Sequence, residues 1–147
     1  FGLPGLRMGW LATRDTAWLA RCQALKDYTT ICASAPAEIL ALIALRAQGR
    51  ILSRCADIVA RNQALMQDFC ARRPAWVEWF APRAGSTAFP RWAGAGSVEE
   101  FCAAALSRRG LMIVPGSMFD FPGSHFRVGL GRDNFPQALA VLEEILD

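Results

Sequence analysis

Two arginines, Arg7 and Arg127, lie in segments whose residue types suit the binding of an anion. Arg7 follows the glycine-rich turn Phe1–Gly5, and Arg127 lies in the alternating segment His125–Leu130. Glycine lets the backbone approach a ligand closely, and a planar guanidinium can donate two parallel hydrogen bonds to a phosphate or a carboxylate. On these residues alone, a structural turn with a solvated Arg7 and an exposed Arg127 on a sheet face are the favoured interpretations.

The first part of the chain is predicted to position Arg7 with one strand followed by helices. Apolar residues alternate over Leu6–Thr13, which predicts a strand with Arg7 near its start. Helical spacing predicts a helix over Thr16–Tyr28 and, after a polar loop, a second helix over Ala37–Gln48. Gly49 is typical of the residue that ends such a helix.

A longer helix is predicted over Ile51–Arg73, where apolar residues recur at helical spacing. Asn62 falls inside this apolar stripe, and Pro74 ends the pattern because proline lacks a backbone N–H. The members of the stripe are Ile51, Cys55, Ile58, Leu65 and Phe69.

Short strands and two helices are predicted after Pro74. Ser97 and Glu100 have the spacing of a capping box for a helix that Gly110 closes, and Asp133 or Asn134 caps a last helix. The last helix carries the apolar stripe Phe135, Leu139, Leu142 and Leu146. The strand candidates are Trp76–Phe80, Thr87–Trp92, Leu111–Val114 and His125–Leu130. This order predicts a small, largely antiparallel sheet with helices.

The composition is that of an ordinary globular domain. It argues against a disordered chain, a nucleic-acid-binding or membrane-binding surface, and a membrane span. Of the 147 residues, 53% are hydrophobic and 20% are charged, which excludes disorder. The net charge of +3 is too small to indicate binding of nucleic acid or of an anionic membrane. The longest apolar run, Ile39–Leu45, is far shorter than the roughly 20 residues of a membrane span.

The five cysteines and the single histidine predict neither a metal site nor a disulfide framework. The number of cysteines is odd, their spacings are wide, and no CxxC occurs. Cys55, Cys70 and Cys102 fall on apolar helix faces, which favours buried, reduced thiols in a cytoplasmic protein. His125, the only histidine, is interpreted as a neighbour of Arg127 without a role as a general base.

The segment Gly5–Gly9 resembles the Gly-x-Arg-x-Gly motif that follows the Schiff-base lysine in class I/II aminotransferases of pyridoxal-phosphate (PLP) fold type I. The resemblance implies that Arg7 holds the phosphate of PLP. It also implies that the lysine lies two residues before Phe1, outside this chain. Lys26, the only lysine present, lies in a helix pattern well past the motif. The opening of the chain without Met likewise predicts a fragment.

A second segment, His125–Gly131, resembles the late strand of the family's small domain. In the family an arginine of that strand binds the substrate α-carboxylate, and Arg127 matches its position. The alternation of the strand agrees in part, because it places Arg127 on the face opposite Phe126 and Val128.

Two further segments resemble the family with less specificity. Gly110–Phe119 is similar to a strand and a Pro-Gly-x-x-Phe loop, after which the family usually has glycine; here the residue is Asp120, which puts the local loop shape in doubt. The stretch around Tyr28, Thr29 and Thr30 resembles a region that approaches the partner subunit in family dimers. The resemblance thus implies a homodimer with possible partner-subunit contacts at these three residues.

The resemblance implies an α/β fold class with an α+β small domain. The expected architecture is the C-terminal domain of PLP fold type I: a small, mostly antiparallel sheet with helices packed on one face, plus a long connecting helix. Residues 1–35 are expected to be the tail of the large PLP-binding domain. Residues 36–147 are expected to form the connecting helices and the small domain.

The implied function of the whole protein is transfer of an amino group between an amino acid and a 2-keto acid. Without its lysine, the chain by itself is expected to be inactive. Two alternatives stay open. One is another fold-type-I PLP enzyme, such as a lyase, a decarboxylase or a cyclising synthase, in which Arg127 would bind a carboxylate too. The other is a non-catalytic, aminotransferase-like domain for ligand sensing or assembly.

Overall fold

A computed structural model describes residues 1–146, which divide into two compact units. The first unit is Phe1–Ser53, and the second begins at Arg54. The division reflects the contacts within each unit. The boundary predicted after residue 35 separates the large domain of the whole protein from the connecting helices and the small domain. That boundary stays a prediction.

The first unit is helical. A short 3-10 helix, Pro4–Leu6, precedes α1 (Thr16–Thr29) and α2 (Ala35–Arg46). Helix α1 begins where it was predicted, because the carboxylate of Asp15 accepts a hydrogen bond of 2.9 Å from the N–H of Trp18.

The predicted strand Leu6–Thr13 is wrong. Arg7 adopts the left-handed region, with φ 53°, and the following residues up to Thr13 form no strand. A strand needs a neighbour to pair its N–H and C=O groups. The first unit contains no strand in its described residues, so alternation alone did not produce one.

The prediction that Gly49 ends the second helix is also wrong. Helix α2 ends at Arg46, with Ala47 as its C-cap, and α3 (Gln48–Arg72) begins directly afterwards. The N–H of Ala47 donates to the carbonyl of Ile43, while its own carbonyl accepts from Ile51. Gly49 therefore lies in the first turn of α3, and an added Cβ there would meet no atom within 4 Å.

The second unit contains the C-terminal part of α3, two further helices and two small antiparallel sheets. Strand β1 pairs with β3, and the second sheet has the order β2-β5-β4, with β5 in the centre. The elements are β1 (Val77–Glu78), β2 (Thr87–Ala88), β3 (Arg91–Trp92), α4 (Val98–Arg109), β4 (Val114–Pro115), β5 (Phe126–Gly129) and α5 (Phe135–Leu146).

Two predicted strands are altered by local backbone chemistry. Thr87–Trp92 is divided between two sheets at Phe89 and Pro90, because proline has no N–H to continue a ladder. Of Leu111–Val114 only Val114 is in a strand, since the N–H of Leu111 donates to the carbonyl of Ala105 and thereby caps α4.

The predicted caps of α4 and the predicted apolar stripe of α5 are confirmed. Ser97 and Glu100 form both hydrogen bonds of the capping box, and Gly110 caps α4 with φ 66°. The four predicted stripe residues of α5, Phe135, Leu139, Leu142 and Leu146, are all buried. The buried stripe of α3 is rotated slightly from the predicted one, so that Leu65 is exposed while Met66 and Cys70 are buried.

Of the three cysteines predicted to be buried, Cys70 and Cys102 are buried in the core of the second unit, whereas Cys55 is only half-buried because it lies at the N-terminal edge of the buried face of α3. Burial raises the pKa of the Cys70 thiol and of the Cys102 thiol to about 11 each. These side chains are therefore protonated near neutral pH, and all five cysteines of the chain are free thiols. No helix within residues 1–146 combines the length and the apolar character needed to cross a membrane.

Asn62 is a fully buried polar side chain in this core. Its Nδ2 donates hydrogen bonds to the carbonyls of Leu130, at 2.8 Å, and Arg132, at 2.7 Å. Both acceptors lie in the chain that leaves β5. The amide therefore ties α3 to the end of the central strand.

Replacing Asn62 with leucine should lower the free energy of unfolding by about 2–4 kcal/mol, because two carbonyls lose their donor in a buried setting. Urea denaturation of the variant and the parent measures this difference. The matched control is Gln67→Leu, an exposed amide on the same helix, which should change stability by less than about 0.5 kcal/mol. Equal effects of the two substitutions would contradict the role assigned to Asn62.

Candidate functional site

Arg7 presents an exposed guanidinium in the first unit. It is the C-cap of the 3-10 helix, and its backbone N–H donates to the carbonyl of Pro4 at 3.2 Å. Its Nη1 donates a long hydrogen bond of 3.4 Å to the same carbonyl. No carboxylate within residues 1–146 pairs with Arg7, so most of its donors remain available.

The two glycines that flank Arg7 are not explained by packing within the chain. A Cβ added at Gly5 or at Gly9 would meet nothing within 4 Å. Neither glycine has a positive φ. The segment thus has an exposed cation and open backbone on both sides of it, which is an arrangement that an anionic group could approach.

Arg127 lies in β5 with its backbone held on both sides. Strand β4 pairs with it through Val114, and β2 pairs with the adjacent Val128 through Ala88. Phe126 and Leu130 are buried with 1% and 0% of their surface exposed, whereas Arg127 is exposed. The predicted alternation of this strand is therefore confirmed.

The guanidinium of Arg127 lies over the ring of Phe119. The distance from Arg127 Cζ to the ring centroid is 5.3 Å, which is within the range of a cation–π contact. Sequence reasoning assigned no role to Phe119. Phe119 precedes Arg127 by eight residues and ends the Pro-Gly-x-x-Phe segment, and neither this spacing nor the motif indicates that its ring contacts the arginine.

The loop that carries Phe119 is a 3-10 helix, Gly116–Phe119, closed by Asp120. Asp120 has φ 52° and ψ 27°, and its N–H donates to the carbonyl of Ser117 at 3.2 Å. This left-handed conformation explains why glycine is usual at the position in the family that the sequence resembles. The substitution by aspartate is compatible with the turn, because aspartate tolerates this region better than most residues.

Gly116 allows the same loop to lie close to β5. Its N–H donates to the carbonyl of His125 at 2.6 Å. A Cβ at Gly116 would lie 3.0 Å from that oxygen and 3.1 Å from Cζ of Phe89. The glycine is thus required by close approach of the backbone.

His125 belongs to an aromatic cluster and not to a polar network. Its ring stacks on Phe89 at 5.4 Å and 14°, and it meets the edge of Phe121 at 4.9 Å. Its Nδ1 is buried and has no hydrogen-bond partner in the described part of the chain. We define the aromatic cluster as Phe80, Phe89, Phe119, Phe121 and His125.

Tyr28, Thr29 and Thr30 lie together at the end of α1. Tyr28 is 90% exposed. The hydroxyl of Thr29 donates to the carbonyl of Leu25 at 3.0 Å, and the N–H of Thr30 donates to the carbonyl of Lys26 at 2.9 Å. Local bonds thus occupy the two threonines in part, and contact of these three residues with a partner subunit stays a prediction.

Comparison with known proteins identifies the family. The sequence model described as "Aminotransferase class I and II" matches residues 1–139. Capreomycidine synthase of Streptomyces vinaceus is 28% identical over 99% of this chain. A solved PLP-dependent aminotransferase from Streptococcus suis shares 29% sequence identity with this chain over 99% of its length, with a TM-score of 0.89. The solved structure of the PLP-dependent cyclase OrfR shares 33% identity over 99% of the chain, with a TM-score of 0.86.

The chain is much shorter than these relatives. It spans 38% of the synthase, 39% of the aminotransferase and 40% of the cyclase. The similarity extends over nearly all of the described residues and confirms the predicted fold class, a mixed α/β fold with small antiparallel sheets.

Replacing Asp120 with glycine should stabilise the chain. Removal of the left-handed strain contributes about 1 kcal/mol, and the greater freedom of glycine in the unfolded chain offsets part of it, so we expect a net gain of about 0.5 kcal/mol. Thermal unfolding followed by circular dichroism measures the shift. Asp120→Ala serves as the control and should not stabilise, because alanine keeps the Cβ. A rise in Tm for both variants would show that strain is not the cause.

Proposed function

The chain belongs to the class I and II aminotransferase family, and from this premise we propose that the whole protein transfers an amino group between an amino acid and a 2-keto acid. The solved relatives include a PLP-dependent aminotransferase and a PLP-dependent cyclase, which indicates PLP as the cofactor. The observation that carries the proposal is Arg127, an exposed guanidinium on the central strand of a three-stranded sheet, without a carboxylate partner in residues 1–146.

The residues around Arg7 fit the phosphate of PLP. The guanidinium is exposed and unpaired with any described carboxylate, and Gly5 and Gly9 leave open space beside it. Arg7 would bind two phosphate oxygens and thereby fix the position of the cofactor. When bound, PLP supplies an electron sink for the negative charge that develops on the substrate.

Arg127 would bind the α-carboxylate that amino acids and 2-keto acids share. Two parallel N–H groups of its fork match the two carboxylate oxygens, which fixes the orientation of the substrate as well as its position. Because β5 is paired on both sides, the strand holds the base of the arginine side chain in place. One arginine thus serves both the donor and the acceptor of the amino group.

A cyclising reaction is the second candidate function. Two of the relatives are named as a synthase and as a PLP-dependent cyclase, at 28% and 33% identity. Arg127 would bind the substrate carboxylate in such a reaction as well. The two candidates differ in their need for a keto acid, because a cyclisation retains the amino group in the product and consumes no acceptor.

We further propose that the whole protein is a homodimer to which Tyr28, Thr29 and Thr30 contribute partner contacts. The support is the exposure of Tyr28, whose phenol extends from the end of α1. In the same proposal residues 1–35 belong to the large PLP-binding domain and residues 36–147 to the connecting helices and the small domain.

The PLP-loaded whole protein should convert at least one of the twenty proteinogenic amino acids to its keto acid only when pyruvate or 2-oxoglutarate is present. Arg127→Ala should lower kcat/KM for that amino acid by about 30- to 1000-fold, because a substrate carboxylate loses a charged two-bond partner. Arg127→Lys should give an intermediate loss, since it keeps the charge without the fork. Product formation followed by mass spectrometry measures both effects.

The control is Arg108→Ala, an exposed arginine at the end of α4, which should leave kcat/KM within about twofold. Turnover without any keto acid, with the amino group kept in the product, would replace the first candidate by the cyclising one. An unchanged kcat/KM in Arg127→Ala would overturn the assignment of this arginine in both.

Arg7→Ala should weaken the binding of PLP to the whole protein by about 10- to 100-fold, because a phosphate oxygen pair loses its charged donors. Equilibrium dialysis with detection of PLP absorbance measures the dissociation constant directly. Arg14→Ala is the matched control, as Arg14 is an exposed arginine in the same unit. Equal affinities of the Arg7 variant and the parent would refute the phosphate contact.

A further inference from the structure

We infer that Phe119 is a positioning residue that orients the guanidinium of Arg127 toward the substrate carboxylate. The inference rests on the carboxylate-binding role proposed for Arg127. It adds a residue whose contribution is made through the arginine and not through contact with the substrate.

The first support is the way in which Arg127 is held. Its guanidinium carbon is 5.3 Å from the centroid of the Phe119 ring, and no carboxylate of residues 1–146 forms an ion pair with it. A ring face attracts the cation through its quadrupole but accepts no hydrogen bond at the edge of the guanidinium. The contact therefore restrains the side chain while its paired N–H donors stay available.

Other arginines of the same unit are held by ion pairs with carboxylates instead of by an aromatic ring. Arg72 donates to Asp68 at 3.1 Å and to Glu143 at 2.6 Å, and Arg91 is paired with Glu78. Their donors are already occupied by carboxylates of the protein. Arg127 differs because its restraint is an aromatic face, which suits an arginine that has to receive a carboxylate from outside.

The second support is that the ring is itself fixed relative to β5. Phe119 meets Phe89 edge to face at 6.2 Å and 77°, and Phe89 stacks on His125. His125 precedes Arg127 by two residues in the same segment of chain. The ring of Phe119 is thus linked through Phe89 and His125 to the segment that carries Arg127.

The third support is the anchoring of the loop that carries the ring. The N–H of Gly116 donates to the carbonyl of His125 at 2.6 Å, at the other end of the 3-10 helix from Phe119. Asp120 closes that helix immediately after Phe119. Hydrogen bonds therefore hold both ends of the turn. They keep the ring of Phe119 against the guanidinium of Arg127, although Phe119 is 46% exposed.

The test compares Phe119→Leu and Phe119→Tyr in the PLP-loaded whole protein, with the proteinogenic amino acid that reacts fastest. Phe119→Leu should lower kcat/KM by about 3- to 10-fold through a higher KM with kcat retained, because a cation–π contact is lost. Phe119→Tyr keeps the ring face and should restore kcat/KM to within about twofold of the parent. A loss of kcat with unchanged KM in Phe119→Leu would overturn the inference.

Phe121→Leu is the matched control for packing. Phe121 is 44% exposed, lies in the same loop and meets the edge of Phe89 at 5.1 Å, while its ring contacts are with Phe89 and His125. Its replacement should leave kcat/KM within about twofold. An equal loss in Phe121→Leu and Phe119→Leu would show that general packing of the aromatic cluster is responsible and would overturn the inference.

A double-mutant cycle with Arg127→Ala separates this inference from the proposed function. If Phe119 acts through Arg127, Phe119→Leu should change kcat/KM by less than about twofold once the arginine is absent. The same factor of loss in both backgrounds would refute the positioning role and leave the role of Arg127 intact. No effect of Arg127→Ala itself would instead overturn the proposed carboxylate site.

Discussion

The amide of Asn62 donates both of its hydrogens to main-chain carbonyls just beyond the central strand β5 and thereby ties the end of that strand to α3. The side chain is fully buried, so its hydrogen bonds have no competing water. Arg54 and Arg61 also reach the same stretch of chain through Asp133, but this aspartate is 59% exposed. Exposed ion pairs contribute at most about 1 kcal/mol, so the buried amide is the stronger restraint.

Alternate residues of the β5 segment contribute to the core and to the candidate site. Phe126 and Leu130 complete the packing of the second unit on one face. Arg127 projects from the other face, where its restraint is the ring of Phe119. The cost of exposing an arginine is small, whereas burial of the same charge without a partner would cost several kcal/mol, about as much as the whole stability of a small domain.

The family relationship determines the cofactor and the fold more closely than the reaction. Relatives of 28–33% identity are named as an aminotransferase, a synthase and a cyclase, although all three align over 99% of this chain. The carboxylate contact proposed for Arg127 is compatible with each of these names, because it would hold a group of the substrate that neither amino transfer nor cyclisation changes. The distinction between amino transfer and cyclisation therefore depends on groups near the reacting atoms, and the dependence on a keto acid reports it.

The sequence by itself determined the features that rest on neighbours three or four residues apart, or on strict alternation. These are the capping box at Ser97, the apolar stripe of α5, and the opposite faces of Phe126 and Arg127. Tertiary structure decided the features that need a distant partner. The strand predicted at Leu6 did not form, because no neighbouring strand is present in its unit.

The same distinction applies inside the candidate site. Motifs singled out Arg7 and Arg127 as candidates, whereas no motif indicated that the ring of Phe119 contacts Arg127. The acceptors of Asn62 likewise lie 68 and 70 residues away in the chain. Local patterns are encoded by the period of the helix or the strand, which the sequence displays directly. Contacts between distant segments follow from how the elements pack, and no period in the sequence records them.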